Sequence, residues 1–168
     1  ACGLVKNLAL MTHITTDDEE EPIKKLCYLL GVEDITVIDS ASLHLNYGVY
    51  LNGTIIGTTR FPIKFVSQFR NLRRSGKISE FISIYTNTHQ KAVHIATDGG
   101  RICRPLIIIS DCKSRVTADH LRSLKNGELQ FDDFLKLGLV EYLDVNEEND
   151  SFIALYEKDI DTNITHME

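Results

Sequence analysis

The densest charged chemistry in this sequence is a run of cations, Arg70, Arg73, Arg74 and Lys77, that falls near the end of a helical pattern. Arginine presents a planar fork of donors suited to phosphate or carboxylate, so these four are candidates for phosphate or partner contact. Cations at a helix C-terminus also complement its dipole and stay solvated. With no interleaved aromatics and no second basic helix, a solvated face is the preferred reading of the cluster.

A second stretch, Asp144-Val145-Asn146-Glu147-Glu148-Asn149-Asp150, places oxygen-bearing side chains as a calcium loop would. It fails where such a loop is demanding. Asn149 replaces the glycine of the sharp turn, and Leu155 stands where the bidentate glutamate belongs. The stretch therefore reads as a solvated acidic turn. The six histidines, His13, His44, His89, His94, His120 and His166, show no metal-ligand spacing. No nucleophile elbow, phosphate-binding loop or dinucleotide fingerprint is present. Asp98-Gly99-Gly100-Arg101 has backbone amides able to nest an anion, although a hairpin turn is the commoner explanation. The four cysteines, Cys2, Cys27, Cys103 and Cys112, are scattered and read as reduced thiols of a cytosolic or nuclear protein. No self-contained catalytic constellation emerges, and no metal or other cofactor is expected in this segment.

The elements that must carry these residues alternate between helix and strand. Residues 4–14 are apolar enough for a buried opening strand. The acidic run Asp17-Asp18-Glu19-Glu20-Glu21 before Pro22 suits a helix start, with Ile23, Leu26, Leu29 and Leu30 inward and Gly31 as the stop. Ile35, Val37 and Ile38 suggest a strand. Residues 49–56 form a hairpin, because Asn52-Gly53 supplies the positive φ angles of a type I′ turn. Pro62 opens a helix to about Ser75, with Ile63, Phe65, Val66, Phe69 and Leu72 on its apolar face and Gly76 ending it. Strands follow over 81–85, 92–96 and 106–109. Thr117 caps a helix through Leu121 and Leu124 to Gly127, and a second short helix runs from Phe131 to Gly138. Two last strands, 139–144 and 152–156, flank the acidic turn. The fold class is α+β: an entering strand followed by two small mixed α/β modules.

At 168 residues, 43% hydrophobic and 25% charged, the chain can bury a real core, and wholesale disorder is excluded. No apolar run approaches the roughly 20 residues that a membrane span needs, so no membrane partner is expected. A net charge of −6 argues against a free-standing nucleic-acid binder held by bulk charge. It leaves room for a minor share in a larger basic channel. Both ends of the sequence read as interrupted elements, which suggests a piece of something larger.

Six stretches in order point to one family. They are Gly3-Leu4-Val5-Lys6-Asn7-Leu8-Ala9-Leu10-Met11, Leu51-Asn52-Gly53 and Leu72-Arg73-Arg74-Ser75-Gly76-Lys77-Ile78. They continue with Thr97-Asp98-Gly99-Gly100-Arg101-Ile102-Cys103-Arg104-Pro105-Leu106, Gly138-Leu139-Val140-Glu141-Tyr142-Leu143-Asp144 and Thr165-His166-Met167-Glu168. Together they resemble the second-largest (beta-like) subunit of the multisubunit DNA-directed RNA polymerases. Met11-Thr12-His13-Ile14-Thr15-Thr16 and the acidic turn look most like the eukaryotic RNA polymerase III version, with the archaeal and RNA polymerase II subunits as the alternatives.

The resemblance implies that residues 1–30 end the fork region and that 34–97 and 106–164 are the two modules of the external 2 region. Residues 165–168 would begin the hybrid-binding region. It implies an internal, non-catalytic segment of a nuclear nucleotidyltransferase. The magnesium and zinc of that enzyme would be bound elsewhere. The partners implied are other polymerase subunits and, through the parent complex, the DNA template and the RNA–DNA hybrid. Gly3, Leu4, Val5, Lys6, Asn7 and Leu8 would lie near nucleic acid, although Lys6 departs from the asparagine of bacterial relatives. The reading from another class is an independent acidic α+β protein-interaction module.

Overall fold

The computed structural model describes residues 2–5, 7–37 and 45–168. Two mixed sheets organise them. The first has the strand order β2 (Glu33–Asp34), β4 (Thr54–Thr59), β3 (Tyr47–Leu51), β6 (Ala92–Ala96), β5 (Ser83–Asn87). Its pairs are antiparallel except β3 with β6, which run parallel with Val49 opposite Val93. The β3–β4 turn has Asn52 at φ 47° and Gly53 at φ 83°, the left-handed pair that the sequence prescribes.

Helix α2 (Pro62–Arg74) covers one face of this sheet, and α1 (Glu20–Leu29) packs beside it. Phe65, Val66 and Phe69 of α2 and Ile23 and Cys27 of α1 join Val49, Leu51, Ile84, Val93 and Ile95 in one buried cluster. Cys27 faces inward where Leu29 was expected, and Leu29 is 85% exposed. Burial pushes the Cys27 thiol up to about 12, which makes it an inert packing group. Gly76 ends α2 at φ 69°, its amide donating to Arg73 O and that of Lys77 to Leu72 O. This Schellman closure holds the arginine-bearing last turn in place.

The second sheet is built on β7 (Ile102–Ser110). On one edge β7 pairs with β9 (Val140–Asp144); on the other it pairs with β1 (His13–Ile14) and β11 (His166–Met167), and β10 (Ile153–Ala154) lies beyond β11. Ile108 donates its amide to Leu139 O and Ile109 to Thr165 O. Odd-numbered amides of β7 thus face the β1/β11 edge. Pro105, which has no amide hydrogen, falls in the gap between the two partners there, where no donor is needed. β7 closes on β8 (Lys113–Ser114) through Asp111 and Cys112, both at positive φ, a hairpin that the sequence did not announce. Helices α3 (Ala118–Lys125) and α4 (Phe131–Lys136) follow, opened by capping boxes at Thr117 and Gln130. The second cluster holds only Phe134, Leu139 and Val140 as fully buried members. Leu106, Ile108, Leu143 and Ala154 of the second sheet are buried besides.

Three expectations need correction. The opening strand is confined to His13–Ile14, and Leu4, 97% exposed, stands in irregular backbone. A strand needs a partner for its peptide groups, and none lies beside the described part of 2–12. Leu4, Val5, Leu8 and Leu10 are exposed. Ile35–Val37 form a 3₁₀ turn, because Asp34 Oδ1 accepts from both the amide and the hydroxyl of Thr36 at 2.9 Å and curls the chain. Ile38 lies outside the described residues. The acidic turn is helical, α5 (Val145–Asn149), and although Val145, Asn146, Asn149 and Asp150 are exposed as expected, Asp144 and Glu147 are buried.

Gly57 sits where β2 crosses β4. A Cβ there would lie 2.2 Å from the Glu33 carbonyl oxygen and 2.8 Å from Val32 Cγ1. Gly57→Ala should lower stability by about 2 kcal/mol or more, measured by urea unfolding, because the obstacle is backbone.

Candidate functional site

The arginine cluster and the acidic helix, remote in sequence, form one site at the seam between the two sheets. The last turns of α2 aim Arg70, Arg73 and Arg74 at β9 and α5. Arg73 is 3% exposed and Glu147, opposite it, 1%. The Arg73 guanidinium grips Glu147 with both terminal nitrogens, at 2.7 and 2.8 Å, and reaches Glu141 Oε2 at 2.9 Å. Arg74 holds Glu141 from Nε and Nη2 at 3.1 and 2.6 Å. Arg70 Nε donates to Glu147 Oε1 at 3.1 Å, with Asp150 at 3.6 Å. Three guanidiniums thus meet three carboxylates, and the buried charge is balanced.

The same groups complete an open sheet edge. β5 is the outer strand of the first sheet, and Ile82, Ile84 and Thr86 turn their peptide groups outward. Arg73 Nη1 donates to Ile82 O at 2.8 Å, and Arg70 Nη2 to Ile84 O at 3.3 Å. Glu147 Oε2 faces the Ile84 amide at 3.5 Å, and Asp150 Oδ2 accepts from Thr86 at 3.3 Å. Arg101 extends the series, donating to Phe81 O at 2.9 Å and to Asp144 Oδ2 at 3.2 Å. Side chains here do the work of a sixth strand.

Asp144 also caps α5 through the Glu147 amide at 2.8 Å, which fixes Glu147 beneath Arg73. His166 on β11 contacts Glu141 Oε1 through Nε2 at 2.7 Å, so the end of the chain is tied to the cluster. Burial alone would raise the Glu141 carboxyl, but Arg73, with His166 and Arg74, outweighs it and holds Glu141 well below the usual carboxylate range. Burial likewise works against the charge of Arg73, and Glu147 and Glu141 more than restore it.

A second tie joins the segment before α1 to the turn 98–101. There the chain's own Asp17 accepts from one amide of the turn, that of Gly99, through Oδ1 at 2.7 Å. Thr15 O accepts from the Gly100 amide, and Thr15 Oγ1 from that of Arg101. Asn52, in the hairpin turn, bonds both Thr97 and Glu20.

The sequence-derived candidates therefore separate. Arg70, Arg73 and Arg74 come together on carboxylates of this chain, against the expectation of a solvated face, and Lys77 stays exposed. Gly3, Leu4, Val5, Asn7 and Leu8 are exposed and distant in contact from the seam, and Lys6 lies outside the described residues. Of the histidines, His13 stacks on Phe81, His94 lies between Tyr50 and Tyr85, and His120 closes the α3 capping box. His44 lies outside the described residues. Among the described residues no group of three or more His, Cys, Asp or Glu side chains is placed to hold a metal ion. The sequence reading did not bring Glu141, Glu147, Asp144, Arg101 and His166 together as partners of the arginine cluster, having weighed Asp144, Glu147, Arg101 and His166 only for other roles. The signal was there: four of them lie in the six quoted stretches, and Glu147 lies in the acidic run.

Comparison with known proteins gives two family matches, RNA polymerase Rpb2, domain 4 over residues 49–110 and RNA polymerase Rpb2, domain 5 over residues 131–168. The whole chain is 83% identical to part of DNA-directed RNA polymerase III subunit RPC2 of Saccharomyces cerevisiae and 64% identical to part of that of Schizosaccharomyces pombe. Against DNA-directed RNA polymerase II subunit RPB2 of Encephalitozoon cuniculi identity falls to 34%, again across the whole chain. The chain spans about 15% of the length of the two RNA polymerase III relatives and 16% of the third.

Arg73→Ala would leave Glu147 and Glu141 buried without their main partner and should cost about 3–5 kcal/mol in urea unfolding. Arg74→Ala, at a half-buried site, should cost about 1 kcal/mol. The depressed Glu141 carboxyl stabilises the folded chain fully above the ordinary glutamate value of about 4.3, and this contribution is lost as pH falls below it. The stability gap between the parent chain and Glu141→Gln should be widest near pH 6 and narrow steadily on titration to pH 3.

Proposed function

Because the chain belongs to the family of second-largest subunits of DNA-directed RNA polymerases, we propose that it is an internal, non-catalytic structural segment of the RNA polymerase III version. In this reading it contributes to template-dependent RNA synthesis in the nucleus as part of the whole complex. The observation that carries the reading is the drop from 83% identity with an RNA polymerase III relative to 34% with an RNA polymerase II one.

The geometry suits a scaffold. Five of the six family stretches supply the polar ties of the seam or its flanks: Asn52, Arg73 and Arg74, Thr97 to Arg101, Glu141 and Asp144, and His166. The two buried carboxylates there, Glu141 and Glu147, are paired with guanidinium groups, and His166 is buried against Glu141. The magnesium and zinc of the parent enzyme are assigned to parts of it other than this segment. Neighbouring polymerase subunits are the partners, and the template and RNA–DNA hybrid are reached through the assembled complex.

The sixth stretch is assigned the nucleic-acid side. Gly3, Leu4, Val5, Lys6, Asn7 and Leu8 are placed near the hybrid, with Lys6 against an RNA phosphate. A polymerase bearing Lys6→Ala should hold its hybrid less tightly, and the salt slope of transcript release should fall by about one. Unchanged elongation and unchanged salt sensitivity would contradict the assignment. The 168 residues alone should polymerise nothing.

A further inference from the structure

The side chains that finish β5 stop one peptide short. Ile82 O and Ile84 O are taken by Arg73 and Arg70, and the Ile84 and Thr86 amides by Glu147 and Asp150. Thr86 turns its carbonyl outward too, and among the described residues nothing donates to it. The Thr88 amide, next along the same edge, bonds nothing among them either. A free carbonyl and a free amide two residues apart are what one strand offers another.

Both residues line a groove of about 400 Å³ between the edge of β5 and α2. Ser67, Arg70, Asn71 and Arg74 form the facing wall, spaced three and four residues apart on one side of the helix. Val66, buried, closes the floor, and Ile63 stands exposed at the rim. From Ile63 to Arg74 the groove follows α2 for roughly 16 Å, the length of about five extended residues. Arg70 and Arg74 commit Nε and Nη2 to the seam. The Nη1 of each has no partner among the described residues and is not buried, so its N–H donors are open to solvent.

We propose that this groove docks an extended, uncharged segment of a separately folded partner protein, recognised through its backbone. A partner N–H donates to Thr86 O, a partner carbonyl accepts from the Thr88 amide, and further carbonyls accept from Arg70 and Arg74 Nη1. An apolar side chain of the segment packs on Val66 and Ile63. Charge complementarity selects this occupant. The three guanidiniums are already matched by Glu141, Glu147 and Asp150, so the groove offers directed donors and acceptors with no charge left over. An acidic segment or a phosphate backbone would unbalance the cluster, and a neutral peptide backbone does not. Ser67, Asn71 and Thr88 are exposed and uncharged, which keeps the empty groove compatible with water, as suits a surface that meets its partner after folding. This occupant follows from the groove alone and not from the function proposed above.

The test uses the native complex purified through this chain, with a photo-crosslinking phenylalanine analogue at position 63. The variants Ser67→Trp and Asn71→Trp fill the groove from exposed helix positions. The crosslink should map to one partner segment without charged residues over the stretch of contact. Each variant should weaken retention of that partner at least tenfold, and the Thr88 amide should then exchange with solvent at least tenfold faster. The Ile84 amide, held by Glu147 within the chain, should keep its rate, which separates lost docking from a loosened fold. A crosslink to nucleic acid, to a charged segment, to the same polypeptide or to a second copy of it would overturn the proposal. So would no crosslink, full retention by both variants, or an unchanged Thr88 rate in both. RNA synthesis by the same preparation scores the polymerase reading separately.

Discussion

The structure depends on how the outer strand of the first sheet is finished. On its outer side β5 presents peptide groups that no strand pairs. Arginines from α2 and carboxylates from α5 meet those groups directly, through Ile82 and Ile84 carbonyls on one side and Ile84 and Thr86 amides on the other. An open edge is a template for unwanted pairing, and a row of charges is one of the ways proteins close it. Here the closing row belongs partly to the second module, so satisfying the edge and joining the modules are one event.

Such a junction is demanding. A buried charge is tolerated only when its partners and hydrogen bonds are complete, and losing one member leaves the others stranded in low dielectric. Arg73 is the centre, since it alone touches Glu141, Glu147 and the β5 backbone. Its Nε, with Ser83 Oγ, is among the few buried polar atoms left without a partner, so the cluster is nearly saturated. The modules are thereby fixed by geometry more than by apolar area. That is a reasonable way to hold a scaffold segment at one angle, because bidentate pairs are directional and hydrophobic contact is not.

The elements legible in the sequence were those whose signals are local. Asn52-Gly53 placed the hairpin, Pro62 and Gly76 bounded α2, and Thr117, Gly127 and Gly138 framed the two short helices. Strand β6 was read at its observed limits. The misreadings share a different cause. Residues 4–14 have the composition of a strand but too little to pair with, and Ile35 and Val37 yield to a side-chain bond from Asp34. Glu147 looked solvated because nothing nearby in sequence announces Arg73, 74 residues away. The arginine cluster looked solvated for the same reason. Charges were visible to a sequence reading and their pairing was not, although the family stretches marked most of the residues that pair.

The central claim is that side chains stand in for a strand along β5. Hydrogen exchange of the Ile84 and Thr86 amides tests it most directly. The account predicts that both are protected to a degree comparable with the interior strand β6, although no strand pairs with them on that side. Exchange of both amides at the rate of freely exposed groups, with β6 still protected, would contradict it.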